Sequence, residues 1–350
     1  MMKWYIAALL ILLAGIGCQP APPSTPTTAA TETPALAEPE DAGPTFQNPV
    51  VRRDFPDPGI ILAGDVYYAY ATNAAGSNVP VLSSTDLVNW DSLGDAMPAL
   101  PSWAMLGGSF VWAPEVMEIN GGYNLYFTAR DKTADRQCIG VAVSELPEGK
   151  FRDSSDSPLV CQVEEGGSID ASPFRDADGT LYLYWKNDGN CCNQPTYIYV
   201  QQMSDDGLSL VGEPTRLVRN DRAWERHVIE APTMWLQDGR YTLFFSANDY
   251  ASPQYAVGYA HCETAVGPCE DAPENPILSS VLEGPTPVIG PGHQTIIQDR
   301  DGDLWLAYHV WQVTSSGTRG NSRMMWLDRL LWEEGAPRIL GPTTAPQPVP

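Results

Sequence analysis

One pattern constrains this chain more than any other: a glycine-containing turn leading into an alternating aromatic run, five times over. The runs are Gly64-Asp65-Val66-Tyr67-Tyr68-Ala69-Tyr70, Gly121-Gly122-Tyr123-Asn124-Leu125-Tyr126-Phe127 and Asp178-Gly179-Thr180-Leu181-Tyr182-Leu183-Tyr184. Asp238-Gly239-Arg240-Tyr241-Thr242-Leu243-Phe244 and Asp301-Gly302-Asp303-Leu304-Trp305-Leu306-Ala307-Tyr308 complete the set. A tight turn feeding β-formers of period two is a hairpin signal. Ala69, Leu125, Leu183, Leu243 and Leu306 hold matching positions, and successive anchors lie 56, 58, 60 and 63 residues apart. Five units at a near-constant period read as a repeat architecture. Roughly 60 residues suit four short strands with their loops, and closing such sheets into a ring protects their edges. The expected fold is all-β: a five-bladed β-propeller over residues 46–345. The Asp-Gly pairs at 178, 238 and 301 read as turns, not metal loops.

The period also points at a site. Thirteen residues before the last four anchors lie Trp112, Asp170, Glu230 and His293, and twelve before Ala69 lies Asp57. In a propeller the first strand of each blade lines the axis, so matching positions converge there. Small or apolar residues would be the bland filling. Two Asp and one Glu at these positions are costly to bury unless paired or used. Their mutual repulsion raises at least one pKa, which is how an acid/base site is built. The chemistry fits glycosidic hydrolysis, where one carboxylic acid protonates the leaving oxygen and a carboxylate activates water. In inverting enzymes the two stand roughly 6.5–9.5 Å apart, and spacing alone also leaves the closer retaining pair open. Asp54 is a second carboxylate near Asp57, but Asp57 keeps the blade register. His227 reads as structural, and His309 as packed between blades.

Charge narrows the ligand. Twenty basic residues against 43 acidic ones leave a net charge of -23. Such a surface repels phosphate backbones, so nucleic acid is excluded as a partner. Polyanionic substrates are disfavoured on the same ground, and a neutral polysaccharide or oligosaccharide is compatible.

The beginning of the chain is of another kind. Met1-Met2-Lys3 is a short basic start, and Trp4 to Ile16 is an apolar run of signal-peptide length. Gly15-Ile16-Gly17-Cys18 resembles a bacterial lipobox, with Gly15 in place of the usual Leu. Residues 1–18 are thus expected to be a signal segment ending in a lipidated Cys18. Residues 19–45 are rich in Pro, Thr and Ala and are expected to be an unfolded tether. The expected location is an exported bacterial lipoprotein, at the outer membrane, in the periplasm or on the cell surface. Six cysteines remain, an even number that suits disulfides in an exported chain. Cys262 with Cys269 and Cys138 with Cys161 are the expected pairs. Cys191-Cys192 is either a vicinal disulfide or reduced. The CxxC spacing of a zinc site is missing.

At the candidate site the sequence resembles glycoside hydrolase family 43, the five-bladed propellers that include arabinanases, arabinofuranosidases and β-xylosidases. The resemblance is carried by Asn48-Pro49-Val50 with Asp54-Phe55-Pro56-Asp57-Pro58, and by Trp112-Ala113-Pro114-Glu115. It continues in Ser168-Ile169-Asp170-Ala171-Ser172-Pro173, Val228-Ile229-Glu230-Ala231-Pro232-Thr233 and Gly290-Pro291-Gly292-His293-Gln294. Gly59 departs from the Ser common after Asp-Pro. The resemblance implies Asp57 as general base, Glu230 as general acid, and Asp170 as the carboxylate that tunes and orients the acid. It implies Trp112 as an apolar wall of the sugar subsite and Arg323 as a substrate-binding residue. It places His293 by a metal, one calcium ion in the central channel, with no organic cofactor. The implied function is an inverting hydrolase of arabinose- or xylose-containing polysaccharides, acting as a monomer. The sequence ends at Pro350 with no β-sandwich after the propeller, which leans the expectation toward arabinan or arabinofuranosyl substrates. The alternative is a non-catalytic carbohydrate-binding propeller lipoprotein.

Overall fold

A computed structural model of the chain describes residues 43–107 and 110–350. The signal segment, the lipobox and most of the tether lie outside the described residues. Five antiparallel sheets follow one another along the chain. Blade 1 comprises Gly59–Ala63, Val66–Tyr70, Pro80–Ser84 and Asp91–Asp95. Blade 2 comprises Trp112–Ile119, Gly122–Asp131 and Arg136–Ser144. Blade 3 comprises Ser168–Arg175, Leu181–Asn187, Tyr197–Met203 and Leu210–Arg219. Blade 4 comprises Ile229–Gln237, Arg240–Ala247, Ala256–Cys262 and Cys269–Asp271. Blade 5 comprises Ile289–Gln298, Leu304–Val313, Arg319–Glu333 and Ala336–Ile339. The first strands of neighbouring blades touch all the way round, blade 5 meeting blade 1, so the ring is closed.

The five anchors are fully buried, each 0% exposed. Their runs supply the apolar face that a twisted sheet must bury against its neighbour. The core accordingly divides into five clusters, one at each seam between blades. Tyr70 and Val81 of blade 1 pack with Leu125 and Phe127 of blade 2. The closing seam joins Trp305 and Leu327 of blade 5 to Tyr67 and Ala69 of blade 1.

Closure is reinforced at the edge. Thr45–Phe46 pairs antiparallel with Gln347–Pro348. The Asn48 side chain then bridges into blade 5: its amide donates to Leu327 O at 3.0 Å and its Oδ1 accepts from Leu327 N at 2.9 Å. Folded structure therefore starts at the last residue of the expected tether and runs past position 345.

Blade 2 departs from the four-strand expectation. Its fourth position is taken by an irregular segment held through single bridges from Val143 to Arg152 and Ile139 to Val160. The Cys138–Cys161 disulfide staples that segment to the third strand. Cys262–Cys269 joins the outer strands of blade 4, and Cys191–Cys192 is a vicinal disulfide.

Each inner strand carries, within it or just before it, one non-glycine residue in the left-handed region. These are Asp57, Ala113, Asp170, Ala231 and His293, with φ of 54°, 44°, 58°, 53° and 51°. In blades 2 to 5 the strand pairing slips at this point, the mark of a β-bulge. The equivalent ring positions are thus Asp57, Ala113, Asp170, Ala231 and His293, with Trp112 and Glu230 one residue earlier. Hairpin length explains the slip from the expected register. The first hairpin has two residues between its strands in blades 1, 2 and 4, and five in blades 3 and 5. Gly59 has a steric role here, because a Cβ would meet Pro114 O at 2.5 Å where the inner strands of blades 1 and 2 approach.

Candidate active site

The bulges turn side chains toward the axis, and a cavity of about 530 Å³ opens at one end of it. Asp57, Trp112, Asp170, Glu230, His293 and Arg323 all line this cavity. Ala113, Ala231 and Glu115 lie beneath it, around a constriction of about 10 Å³ on the axis, roughly the room one water needs.

Asp57 is surrounded by a guanidinium, a hydroxyl and two imidazoles. Arg323 Nη1 donates to its Oδ1 at 2.7 Å, and Thr72 Oγ1 donates to its Oδ2 at 2.6 Å. Nδ1 of His309 and Nδ1 of His293 lie 3.1 Å and 3.3 Å from Oδ1. Burial pushes the carboxyl up, but Arg323, His293 and His309 together outweigh it and hold Asp57 well below the usual carboxylate range. Burial lowers His309 to about 4, so its imidazole is neutral near neutrality. Asp54 is exposed and caps the Arg323 backbone N–H at 2.8 Å, away from the cavity.

Glu230 has opposite surroundings. Burial raises its pKa and the charge of Asp170 adds to the rise, while Lys186, Tyr255 and His293 pull it back. Tyr255 donates to Oε1 at 2.8 Å and Lys186 Nζ stands 3.4 Å from Oε2. Asp170 is also raised, by burial first, and accepts the Ala231 N–H at 2.9 Å. Charge repulsion couples the two carboxyls, and both are raised above the ordinary carboxylate value.

Three of these groups were not read from the sequence as part of the site. Lys186 and His309 each lie three residues after a repeat anchor, where the other blades have Thr72, Thr128 and Ser246. All five are buried, and all five serve the next blade directly, Lys186 through Glu230. Thr72, Thr128 and Ser246 accept the N–H of Ala113, Asp170 and His293. His309 lies against Asp57, so it does not merely pack between blades. The same register run forward from the anchors would have found both. Tyr255 comes from blade 4's third-strand approach and has no periodic marker. It stacks on His309 with centroids 5.7 Å apart, joining the surroundings of Asp57 and Glu230 into one structure. Gly292 makes room for it, since a Cβ there would meet Tyr255 Cε1 at 2.2 Å.

Arg323, which the resemblance implies as substrate-binding, lines the cavity. It is bonded to Asp57, and its guanidinium lies over Tyr250 at 5.1 Å and Trp311 at 5.6 Å. His227 is exposed and does not line the cavity. Glu115 is a further axial carboxyl, raised to about 8 by burial. Calcium takes six to eight oxygen ligands. The contacts around His293 offer imidazole nitrogens and one Asp57 oxygen that already accepts from Arg323. That set does not suit a calcium ion at His293.

A closed ring of five blades with one carboxyl lowered and another raised in the same pocket defines a class: propeller enzymes of acid/base chemistry. The chain belongs to glycosyl hydrolases family 43, whose model matches residues 46–337. It resembles the "Beta-xylosidase" of Bacillus subtilis (strain 168), with 26% identity over 84% of this chain and 56% of that protein. It also resembles the "Probable arabinan endo-1,5-alpha-L-arabinosidase C" of Aspergillus flavus, with 26% identity over 81% of this chain and 90% of the other. Among solved structures, a thermostable family-43 glycoside hydrolase superposes with TM-score 0.79 and 34% identity, covering 87% of this chain and 99% of its own. The chain spans just over half the length of the Bacillus relative.

Proposed function

We propose that this chain is an inverting glycoside hydrolase acting on arabinose- or xylose-containing polysaccharides or oligosaccharides. The observation that carries the reading is the divergence of two carboxyls in one pocket: Asp57 is lowered well below the carboxylate range, while Glu230 is raised by burial and by the charge of Asp170. Glu230 donates its proton to the leaving glycosidic oxygen. Asp57 takes a proton from water as that water attacks the anomeric carbon from the opposite face. Lys186 and Tyr255 orient Glu230, and Arg323 and His309 orient Asp57. Trp112 forms a wall of the sugar subsite. The two named relatives support a pentose substrate, one a β-xylosidase and one an arabinan hydrolase. A non-catalytic binding propeller has no use for carboxyls tuned in opposite directions.

The test combines nitrophenyl arabinofuranoside, nitrophenyl xyloside and debranched arabinan, with products sized and the first-formed anomer read by NMR. Glu230→Gln and Asp57→Asn should each lower turnover by about 10²–10⁴-fold with the fold retained. Near-normal rates in either variant would sink the assignment, and a retained anomer would sink the inverting mechanism.

We further propose that the propeller is exported and anchored through a lipid on Cys18. Three disulfides among the described residues support an oxidising compartment.

A further inference from the structure

Far from the axis, one carboxylate oxygen each from Asp221, Glu225 and Asp271 lies within 4.8 Å of the others. Asp221 follows blade 3's last strand, Glu225 lies in the loop to blade 4, and Asp271 ends blade 4's outer strand. Glu225 is 0% exposed. Its Oε2 accepts the backbone N–H groups of Asp221 and Arg222, both at 2.8 Å. Those two amides fix the carboxylate plane, so its other oxygen is not free to turn toward solvent.

That other oxygen, Glu225 Oε1, is buried without a hydrogen-bond partner, and so is Asp271 Oδ1. The Asp271 side chain is itself 8% exposed. Nearby arginines serve different atoms. Arg222 Nε reaches Asp271 Oδ2 at 3.3 Å and Asp221 Oδ1 at 3.5 Å, and Arg219 Nε reaches Asp221 Oδ2 at 3.1 Å. Burial, with Asp271 and Asp221 adding repulsion, pushes Glu225 up to about 7. Two buried acceptor oxygens without partners, on two carboxylates of one acidic cluster, are expensive unless something positive meets them.

We propose that Asp221, Glu225 and Asp271 bind a divalent cation, calcium by the chemistry of its ligands, which locks the loop between blades 3 and 4. Calcium–oxygen distances of about 2.3–2.6 Å put ligands on opposite sides of the ion roughly 5 Å apart, so all three oxygens fit one sphere. The set is all oxygen, and the neighbouring Cys269 is tied up in a disulfide, which disfavours zinc. Asp221 is exposed, leaving a side open for the waters that complete calcium's shell. Arg222, whose side chain is 53% exposed, bonds Asp271 through Oδ2 and leaves Oδ1 to the ion. The ion's effect reaches the acid through the chain. Trp224 of this loop stacks on Phe245, and five residues after Glu225 comes Glu230.

The test uses the whole enzyme, stripped with EDTA and dialysed, then titrated with calcium chloride by calorimetry and by thermal unfolding. Saturable binding and a calcium-dependent rise in melting temperature are expected. Both should be lost, with affinity at least tenfold weaker, in a Glu225→Gln/Asp271→Asn double variant and kept in His293→Ala. Loss in His293→Ala with retention in the double variant overturns the proposal, as does no saturable binding at millimolar calcium. Should the double variant fail to fold, terbium-soaked crystals of the unaltered protein decide. An anomalous peak among the three carboxylates supports the site, and its absence there overturns it.

Discussion

Asp57 and Glu230 show how surroundings give one functional group two roles. Asp57 is buried and the Glu230 side chain is only 13% exposed, so both lose solvation, which favours the neutral acid. Asp57 is compensated by a guanidinium at 2.7 Å, a hydroxyl at 2.6 Å and two imidazoles. Glu230 has Lys186 Nζ at 3.4 Å and meets the negative charge of Asp170, so burial prevails. Two substitutions separate these influences. Lys186→Met removes a group that lowers Glu230, so the acid stays protonated to higher pH and the alkaline limb of kcat/KM moves upward. Arg323→Met removes the strongest opposition to burial at Asp57, so the base protonates at higher pH and the acid limb moves upward. Each variant should shift its own limb and leave the other in place, and pH–rate profiles on a nitrophenyl glycoside check this. Movement of the wrong limb would contradict the roles given to Lys186 and Arg323.

At the scale of the strand, the device is a left-handed residue repeated in every blade, set in a bulge in blades 2 to 5. A left-handed non-glycine residue costs on the order of 1–3 kcal/mol and persists only where its surroundings over-determine it. Blades 2 and 4 keep the bulge with alanine in it, at Ala113 and Ala231. The conformation therefore belongs to the blade, and the carboxylates make use of it. Asn tolerates left-handed backbone and a β-branched side chain does not. Ala113→Val should thus destabilise by about 2 kcal/mol more than Ala113→Asn, a side chain of similar size, in denaturant unfolding. Equal costs would show that the bulge is not held at this position. The same element sets what could be read in one dimension. The anchors and the three carboxyls were legible because residue type and a period near 60 both survive in sequence. The one-residue slip at Trp112 and Glu230 was not, because hairpins of two and five residues look alike until strands are paired. Lys186 was hidden inside an aromatic run, and Tyr255 reaches the site from a third strand that repeats nothing. The irregular outer edge of blade 2 left no mark beyond its two cysteines.

Across the whole molecule, stability is distributed over five seams, and each inner strand is held by the blade before it. Side chains from blade 1 reach the bulge of blade 2, those of blade 2 reach blade 3, and His309 of blade 5 returns to blade 1. A break in the ring thus disturbs Asp57 directly. The proposed anchor acts at this scale too. Cys18→Ala should move activity from the membrane fraction to the soluble fraction at unchanged specific rate, and activity that remains with membranes would refute lipidation at Cys18. The edge strands carry a further implication. Thr45 faces Pro348 and Phe46 faces Gln347 as antiparallel partners. A two-residue turn is enough to join such a pair. With that turn in place the backbone has no natural starting point. Reopened at the exposed Asp301-Gly302 turn, a circularly permuted chain meets the same five seams in rotated order, and Asp57 and Arg323 become neighbours through a covalent path that no longer crosses the other blades.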